Sequence, residues 1–224
     1  MNEKGKYIVF EGSDGIGKTT QANSLNDRLN HEGVKSIYLH EPGGTELGEE
    51  IERITKSKNI GRTAMSDLLM FTAARVESYE NIIKPAIEAG SWVVADRNWL
   101  STVAYQGNAA GLGKSFVREI TRKTLPSEYM YPDFTFLVDA SEEHRQKLLG
   151  IRDTSKQDYF ETKDDEFQRK IREGYSALDS TYVNFSRKIG GRVIQTAQYV
   201  SLDGEASNVH DQIWDITEKK IINV

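Results

Sequence analysis

The chain contains no cysteine, so disulfides, cysteine-ligated metal sites and thiol catalysis are excluded. It also lacks any apolar run approaching the roughly 18 residues that a membrane-spanning helix needs. The segment from Met1 to Gly5 leads into the first apolar stretch without the apolar core of a secretion signal. These observations predict a cytoplasmic protein with no membrane partner.

An excess of positive charge is missing as well, since the formal net charge is −5 at pH 7. Surfaces that bind nucleic acid are usually basic, so we expect no nucleic-acid partner. A small phosphate ligand is still compatible with this charge, because its site needs only a few local cations. No repeat, low-complexity tract or convincing linker divides the sequence, which predicts a single domain over residues 1–224.

The strongest positive signal is the stretch YIVFEGSDGIGKTT at residues 7–20, where an apolar run is followed by G-x-x-x-x-G-K-[ST]. Between a strand and a helix, this pattern is typical of a phosphate-binding loop. Its glycines let several backbone N–H groups point at one anion, and the helix adds the positive end of its dipole. Lys18 can then reach the β- and γ-phosphates of a nucleotide, while Thr19 can hold Mg²⁺. The residues expected to bind ATP are Gly12, Ser13, Asp14, Gly15, Ile16, Gly17, Lys18, Thr19 and Thr20.

Apolar segments alternate with segments of helical spacing along the chain, which predicts an α/β fold with a parallel sheet and helices on both faces. Strands are predicted at 7–10, 36–39, 92–95 and 134–138, with a last one within 192–202. Helices are predicted after the phosphate loop as far as Gly33, around Leu47 to Ile54, and at about 64–80, 82–89 and 164–188.

The polar segment GIRDTSKQDYFETK at residues 150–163 lies between two helical patterns and has two interpretations. Such composition is more often an ordinary exposed connection. The phosphate loop upstream makes a mobile lid a competing interpretation, because a kinase must exclude water from the transferring phosphoryl group.

Three further segments bear on the substrate, because phosphate binding alone does not separate a kinase from a switch or a motor. The chain has no Asn-Lys-x-Asp motif of the kind expected in guanine-specific switches. It has EPGGTELGE at 41–49, FTAAR at 71–75 and DRNWLSTVAYQG at 96–107. These segments follow or face the carboxyl ends of predicted strands, where open parallel sheets bind ligands.

With these motifs in this order and spacing, nearly the whole chain resembles the thymidylate kinase family. The resemblance implies transfer of the γ-phosphoryl group of ATP to dTMP, giving dTDP and ADP for dTTP biosynthesis. It also implies a P-loop NTPase fold with a five-stranded parallel sheet, a short lid, a Mg²⁺ requirement and a homodimer.

The same resemblance implies roles for individual residues at the acceptor base. Phe71 would stack on the thymine ring, and Arg75 would hydrogen-bond its carbonyl edge. Gln106 and Ser101 would read the remaining polar edge.

Other residues are implied to hold the sugar and the phosphates. Tyr105 would pack beneath the sugar, Asp14 would hold the 3′-hydroxyl, and Arg97 would bind the acceptor phosphate. Asp96 would be a carboxylate associated with Mg²⁺. Glu41 and Pro42 of the second motif complete the predicted substrate-binding set.

The attacking phosphate oxygen is already anionic, so catalysis is expected to consist of positioning and charge neutralisation. The predicted catalytic residues are Lys18, Asp14, Arg97 and one arginine from the lid. Some family members place that arginine in the phosphate loop, where this chain has Ile16. We therefore expect the lid to supply it, with Arg152 as first candidate and Lys156 as second.

The chain departs from the family pattern at three places. His40 stands where the bacterial pattern has arginine, Asn98-Trp99 stands where tyrosine or histidine is commoner, and Tyr159 replaces a usual lid arginine. Because phosphate binding alone does not separate these classes, two alternatives stay open: a broader deoxynucleotide or nucleoside kinase, and a P-loop switch or ATPase without a small-molecule acceptor.

Overall fold

The computed structural model describes residues 4–151, 158–178, 181–183, 186–189 and 192–223. The strands are β1 Tyr7–Glu11, β2 Ser36–His40, β3 Trp92–Asp96, β4 Phe134–Asp139, β5 Ser186–Ile189, β6 Arg192–Gln195 and β7 Ala197–Ser201. The α-helices are α1 Lys18–His31, α2 Glu46–Lys56, α3 Ala64–Ser78, α4 Lys84–Glu88, α5 Trp99–Thr102, α6 Lys114–Thr124, α7 Ser127–Met130, α8 Glu142–Ile151, α9 Asp165–Ser176 and α10 Ala206–Thr217. π-helical segments continue α3, α5 and α10 at Tyr79–Ile83, Val103–Ala109 and Glu218–Ile222.

The main sheet has five strands in the order β2-β3-β1-β4-β7, and every neighbouring pair is parallel. The predicted five-stranded parallel sheet is therefore confirmed. In the register, Asp96 lies beside Phe10 on one side and beside His40 on the other. The carboxyl ends of β1, β2 and β3 consequently finish together at one edge of the sheet.

Two apolar layers cover the sheet, which explains why β1 is buried along its whole length. One layer joins Val9 to residues of α3 and α6 such as Leu68 and Val117. The other joins Phe10 to residues of α1 and α10 such as Leu25. The predicted coverage of both faces is confirmed. No helix of the described ranges is both long enough and apolar enough to span a bilayer.

The first four predicted strands are confirmed, and each extends one residue further than the apolar pattern indicated. The added residues are Glu11, His40, Asp96 and Asp139. A polar residue at the end of a strand interrupts the apolar run, but its backbone still pairs with the neighbouring strand. Each of these residues therefore stands at the edge of the sheet where ligands bind.

The predicted long helix at 164–188 is wrong beyond Ser176. Helix α9 ends there, and residues 186–189 form β5, which pairs antiparallel with β6 in a separate two-stranded hairpin. The β-branched and aromatic residues at 181–183 favour non-helical backbone. The last strand, predicted within 192–202, is confirmed as β7, which pairs parallel with β4 in the main sheet. The same range also contains β6, which belongs to the hairpin and was not predicted.

Candidate active site

A cleft of about 920 Å³ opens at the edge of the sheet where β1, β2 and β3 end. The phosphate loop forms one side, and α3, the segment after β3 and residues 158–161 contribute to the rest. Every residue predicted to bind the acceptor lines this cleft, namely Asp14, Glu41, Pro42, Phe71, Arg75, Arg97, Ser101, Tyr105 and Gln106. The three motifs, which are far apart in sequence, thus meet in one cavity.

The phosphate loop depends on glycine at its first position. Gly12 has φ 157°, and a Cβ there would lie 2.1 Å from the carbonyl oxygen of Val138 in β4. No other residue fits without moving the backbone. The loop ends at Gly17, whose left-handed backbone precedes the first turn of α1.

Lys18 is buried at the start of α1, and its Nζ donates to the carbonyl oxygen of Ser13 at 2.6 Å. Burial, followed by the positive charge of Arg97, lowers the pKa of Lys18 to about 8, although Asp96 opposes the shift. An anion bound in the loop would favour the charged ammonium. The loop therefore holds a cation whose charge is best stabilised by a phosphate.

Arg97 connects the phosphate loop to the segment after β3. Its φ of 80° lies in the left-handed region, where a side chain is strained. Its Nη2 donates to Oδ1 of Asp14, and its Nη1 donates to the carbonyl oxygen of Gly12 at 2.9 Å. Tyr105 donates its hydroxyl to Oδ2 of the same Asp14. Burial alone would raise the pKa of Asp14, but Arg97, Lys18 and Tyr105 together lower it to about 2, so this carboxylate is ionised.

Asp96 lies against the helix that follows the loop. The hydroxyl of Thr19 donates to Oδ2 of Asp96 at 2.5 Å. Oδ1 of Asp96 is buried and has no hydrogen-bond partner among the described residues. A buried carboxylate oxygen without a donor is expected to face a ligand that is not part of the chain.

Arg75 is fixed at the opposite side of the cleft. Its Nε donates to Glu41 at 3.0 Å, its Nη1 to the hydroxyl of Thr102 at 2.7 Å and its Nη2 to the carbonyl oxygen of Asn98 at 2.8 Å. These bonds use three of the five guanidinium N–H groups. Glu41 therefore orients Arg75, and its own oxygens also accept from the hydroxyl of Tyr129.

The base side of the cleft is aromatic. Phe71 lies below the guanidinium of Arg75, 5.6 Å from the ring centre, and next to Phe160 at 6.0 Å between ring centres. Phe160 also meets the ring of Tyr105 edge-on at 5.7 Å. Gln106 is buried and lines the same cleft. A planar ring with polar edges would complete this arrangement.

The segment predicted to be either a connection or a lid is only partly described. Asp158, Phe160 and Glu161 line the cleft, a placement that favours the lid interpretation. Arg152 and Lys156 lie outside the described residues, so the assignment of the lid arginine stays a prediction.

A family model described as Thymidylate kinase matches residues 10–185, which include the phosphate loop and all three substrate motifs. The chain belongs to the thymidylate kinase family. It is 38% identical to the thymidylate kinase of Chlamydia muridarum over 172 residues, covering 77% of this chain and 84% of that protein. It is 34% identical to the thymidylate kinase of Thermoanaerobacter sp. over 218 residues, covering 96% and 98% of the two chains. A solved thymidylate kinase structure from Ehrlichia chaffeensis aligns with a TM-score of 0.72 and 27% identity, covering 96% of this chain and 99% of that one.

At the position where the bacterial thymidylate kinase pattern has arginine, His40 lines the cleft and its Nε2 lies 3.1 Å from Oε2 of Glu52. This hydrogen bond raises the pKa of His40, although burial opposes it. The imidazole is thereby biased towards its positive form, which partly restores the charge that the substitution removes.

Several site residues were not found from the sequence of this thymidylate kinase family member. Arg145 of α8 donates from Nη2 to the hydroxyl of Ser13 at 2.6 Å and supports the phosphate loop. Phe160 closes the aromatic side. Glu11 and Tyr175 meet behind Arg97, 164 positions apart in sequence. No local spacing in the sequence predicts such contacts. The one sequence signal is that Glu11, a charged residue, directly follows the apolar run of β1.

Proposed function

We propose that this protein is an ATP-dependent dTMP kinase, which transfers the γ-phosphoryl group of ATP to dTMP and yields dTDP and ADP for dTTP biosynthesis. The observation that carries the proposal is the joining of a phosphate-binding loop and an aromatic, basic acceptor pocket in one cleft. The names of the relatives support the same activity. Phosphorylated nucleotides as substrates also favour a location in the cytoplasm, and the shared cleft favours a single kinase domain.

The acceptor fits the cleft from base to phosphate. Phe71 offers a ring face for thymine, while Arg75 offers N–H donors for a carbonyl oxygen. Tyr105 and Asp14 would meet the sugar, and Asp14 would accept from the 3′-hydroxyl. Arg97 donates to Asp14 and to the carbonyl oxygen of Gly12 at the start of the loop, so it would bind the acceptor phosphate beside the loop.

The donor fits on the other side of the loop. A second cavity of about 690 Å³ is lined by Gly17 and Thr20 of the loop region, by Leu148 of α8 and by residues 202–206. Gly17, Thr20 and Leu148 also line the acceptor cleft. With its base in this cavity and its phosphates along the loop, ATP would present its γ-phosphate near Lys18 and towards the acceptor.

The residues at the loop also fit a magnesium ion. Hydroxyl and carboxylate oxygens are the ligands that Mg²⁺ prefers, and Oδ1 of Asp96 is a buried oxygen without a described partner. Thr19 and Asp96 would hold the ion. Bound there, it would supply neutralisation of the phosphate charge during transfer.

The chain contributes positioning and charge to the transfer. An anionic oxygen of the dTMP phosphate attacks the γ-phosphorus of ATP, and the bond from that phosphorus to the β-γ bridging oxygen breaks in line. Lys18 and Arg97 stabilise the negative charge that is shared between donor and acceptor. Arg152 of the lid is proposed to add a third positive charge, and closure of the lid would exclude water.

Substitution of Phe71 tests the acceptor pocket. Because the ring would stack on thymine, Phe71→Ala is expected to raise KM for dTMP by about 10- to 100-fold with little change in KM for ATP. Steady-state kinetics with each substrate varied in turn measures both. Phe71→Tyr keeps the ring and should stay near the parent value, whereas Phe71→Leu keeps apolar volume only and should behave like alanine.

The same assay separates the alternatives. A dTMP rate no better than the rates with dCMP, dGMP or dAMP would contradict the proposal and favour a broader kinase, as would phosphorylation of the bare nucleoside. Slow ATP hydrolysis that is indifferent to dTMP and to Phe71→Ala would favour a switch or ATPase.

We also propose a homodimer, formed through the layer that contains α3 and α6. Exposed large apolar side chains concentrate there, including Leu69 of α3 at 54% exposure and Phe116 of α6 at 38%. A second copy of the chain would cover them. Leu69→Asp is expected to convert a dimer into a monomer, measured by sedimentation velocity at several concentrations. Ile222→Asp, at 37% exposure on the opposite layer, should leave the dimer intact. A parent protein that sediments as a monomer throughout would contradict this proposal.

A further inference from the structure

Glu11, the last residue of β1, is fully buried behind the proposed acceptor-phosphate site, at 0% exposure. Its Oε1 accepts from the backbone N–H groups of Asn98 at 2.7 Å and Ser101 at 3.0 Å. Its Oε2 lies 2.8 Å from the hydroxyl of Ser101 and 2.9 Å from that of Tyr175. Both carboxylate oxygens are therefore satisfied by donors that belong to the chain, as a buried charge requires.

The two hydroxyl groups connect Glu11 to Arg97. Nη1 of Arg97 lies 3.9 Å from Oε2 of Glu11, which is beyond hydrogen-bond distance. The same nitrogen has two protons and three acceptors within hydrogen-bond distance: the hydroxyl oxygens of Ser101 at 2.9 Å and Tyr175 at 3.0 Å, and the carbonyl oxygen of Gly12 at 2.9 Å. Its N–H groups are shared among these acceptors. Arg97 is thus connected to the carboxylate of Glu11 mainly through the hydrogen bonds of two intervening hydroxyls.

The number of hydroxyl protons determines which groups donate and which accept between Glu11 and Arg97. Each hydroxyl has one proton, and the hydroxyls of Ser101 and Tyr175 lie 2.9 Å from one another as well as near Glu11. Burial and then the negative charge of Glu11 raise the pKa of Tyr175 well above its ordinary value, so its hydroxyl keeps its proton. Because the protons are drawn towards Glu11 and the contact between the hydroxyls, lone pairs are left to accept from Arg97.

We propose that Glu11 is a positioning residue for phosphoryl transfer, which holds the guanidinium of Arg97 in its working orientation through the hydroxyls of Ser101 and Tyr175. This inference rests on the proposed role of Arg97 in dTMP binding. Glu11 also bonds the backbone N–H of Asn98, directly after the strained φ of Arg97, and so supports that conformation. We call Glu11 and the hydroxyls of Ser101 and Tyr175 the relay to Arg97. Since α9 carries Tyr175 and follows the cleft-lining segment that contains Asp158 and Phe160, the relay also connects that segment to the proposed phosphate site.

Glu11→Gln is the sharpest test, because it preserves shape and changes only the proton pattern. The remaining amide oxygen can still accept from the two backbone N–H groups. The new NH₂ group donates to the hydroxyls, whose protons then turn towards Arg97 and oppose its N–H groups. We expect kcat/KM for dTMP to fall by about 100-fold, as misplacement of a reacting group does, and KM for ATP to change by less than about twofold.

A second variant guards against misfolding of the first. Tyr175→Phe removes one hydroxyl of the relay and should lower kcat/KM for dTMP by about 10-fold. Tyr79→Phe is the matched control, because its hydroxyl donates to Oε1 of Glu128 at 2.9 Å and Tyr79 is not among the residues that line the cleft. It should retain parent kinetics. In an Arg97→Lys background, adding Glu11→Gln should lower kcat/KM for dTMP by less than about a further threefold, because the guanidinium that the hydroxyls orient is then absent.

A readout that does not depend on turnover completes the test. NMR of arginine side-chain nitrogens should show hindered rotation of the Arg97 guanidinium in the parent protein and faster rotation in Glu11→Gln. Unchanged rotation together with parent kinetics in both variants would overturn the inference, as would equal losses for dTMP and ATP. A parent protein without dTMP-dependent turnover would count against the proposed function, and the rotation measurement would still decide on the relay.

Discussion

Arg97→Ala is expected to lower kcat/KM for dTMP by about 10³-fold, while KM for ATP changes by less than about threefold. The guanidinium is held by Asp14, by Gly12 and by the hydroxyls that connect it to Glu11, so it would present its charge to the proposed acceptor phosphate without reorganisation. Alanine removes that charge and also leaves Asp14 without its principal positive neighbour. Both effects weaken binding and transfer on the acceptor side, and initial rates with either substrate varied would measure them.

Two controls separate the charge of Arg97 from its geometry. Arg97→Lys keeps a positive charge but loses the planar fork, so it should recover only part of the activity. Arg53→Ala removes a surface arginine that is 67% exposed and paired with Glu50, and should leave the kinetics unchanged. A loss that appears only in KM for ATP would place Arg97 on the donor side instead and contradict the assignment.

The sequence was sufficient to predict the sheet because parallel strands buried on both faces are nearly continuous apolar runs. The same rule explains the small error at their ends, where Glu11, His40 and Asp96 pair in the sheet although they interrupt the runs. These polar ends matter more than their number indicates, because all three stand next to the cleft. Polar residues that close an apolar strand are therefore the first positions to inspect in such a fold.

The helices were less predictable, for reasons that differ between elements. The apolar spacing of Ile171 and Tyr175 in α9 did not indicate where that helix ends, and the predicted extension to 188 was wrong. Helix α10 was not predicted, although Val209, Ile213 and Ile216 are buried at helical spacing. Its apolar face packs against α1, a contact between the two ends of the described chain.

The residues predicted to bind the acceptor could be named in advance because the motifs carry them, and every one of them lines the cleft. Their partners could not. The partners make contacts between distant parts of the chain, which depend on the packing of the whole fold. These contacts are Tyr129 with Glu41, Phe160 with Phe71 and Tyr175 with Glu11. A motif identifies the residues that meet the ligand, whereas the residues that orient them emerge only from the tertiary structure.

Lys18→Met is expected to lower kcat by about 10³-fold or more and at the same time to stabilise the nucleotide-free protein. The loss of activity follows because Lys18 would be the cation nearest the β- and γ-phosphates of ATP. The gain in stability follows from burial, which lowers the pKa of Lys18 to about 8 in the folded state from a reference value of 10.5. At neutral pH the folded chain must keep this ammonium charged in a buried site, at a cost of roughly 1 to 3 kcal/mol that methionine avoids.

The lowered pKa of Lys18 makes the difference in stability between the parent protein and Lys18→Met depend on pH. Below pH 8 Lys18 is charged in both the folded and the unfolded chain, and the burial penalty is fully present. Between pH 8 and 10.5 the unfolded chain binds more protons than the folded one, so the stability of the parent protein rises with pH relative to Lys18→Met. The advantage of the variant in chemical unfolding should therefore be largest near pH 7 and shrink towards pH 10.

Nucleotide should reverse the order of stability. ATP with Mg²⁺ is expected to bind the folded parent protein and to offset the burial penalty with its own negative charge, so the parent Tm should rise with ATP concentration. Lys18→Met lacks the ammonium group of Lys18, so its Tm should rise much less with ATP concentration. Because an inactive variant that is more stable without ligand cannot owe its inactivity to misfolding, the two measurements together isolate the charge of Lys18. A variant that is both inactive and less stable at pH 7 would contradict this account of the loop.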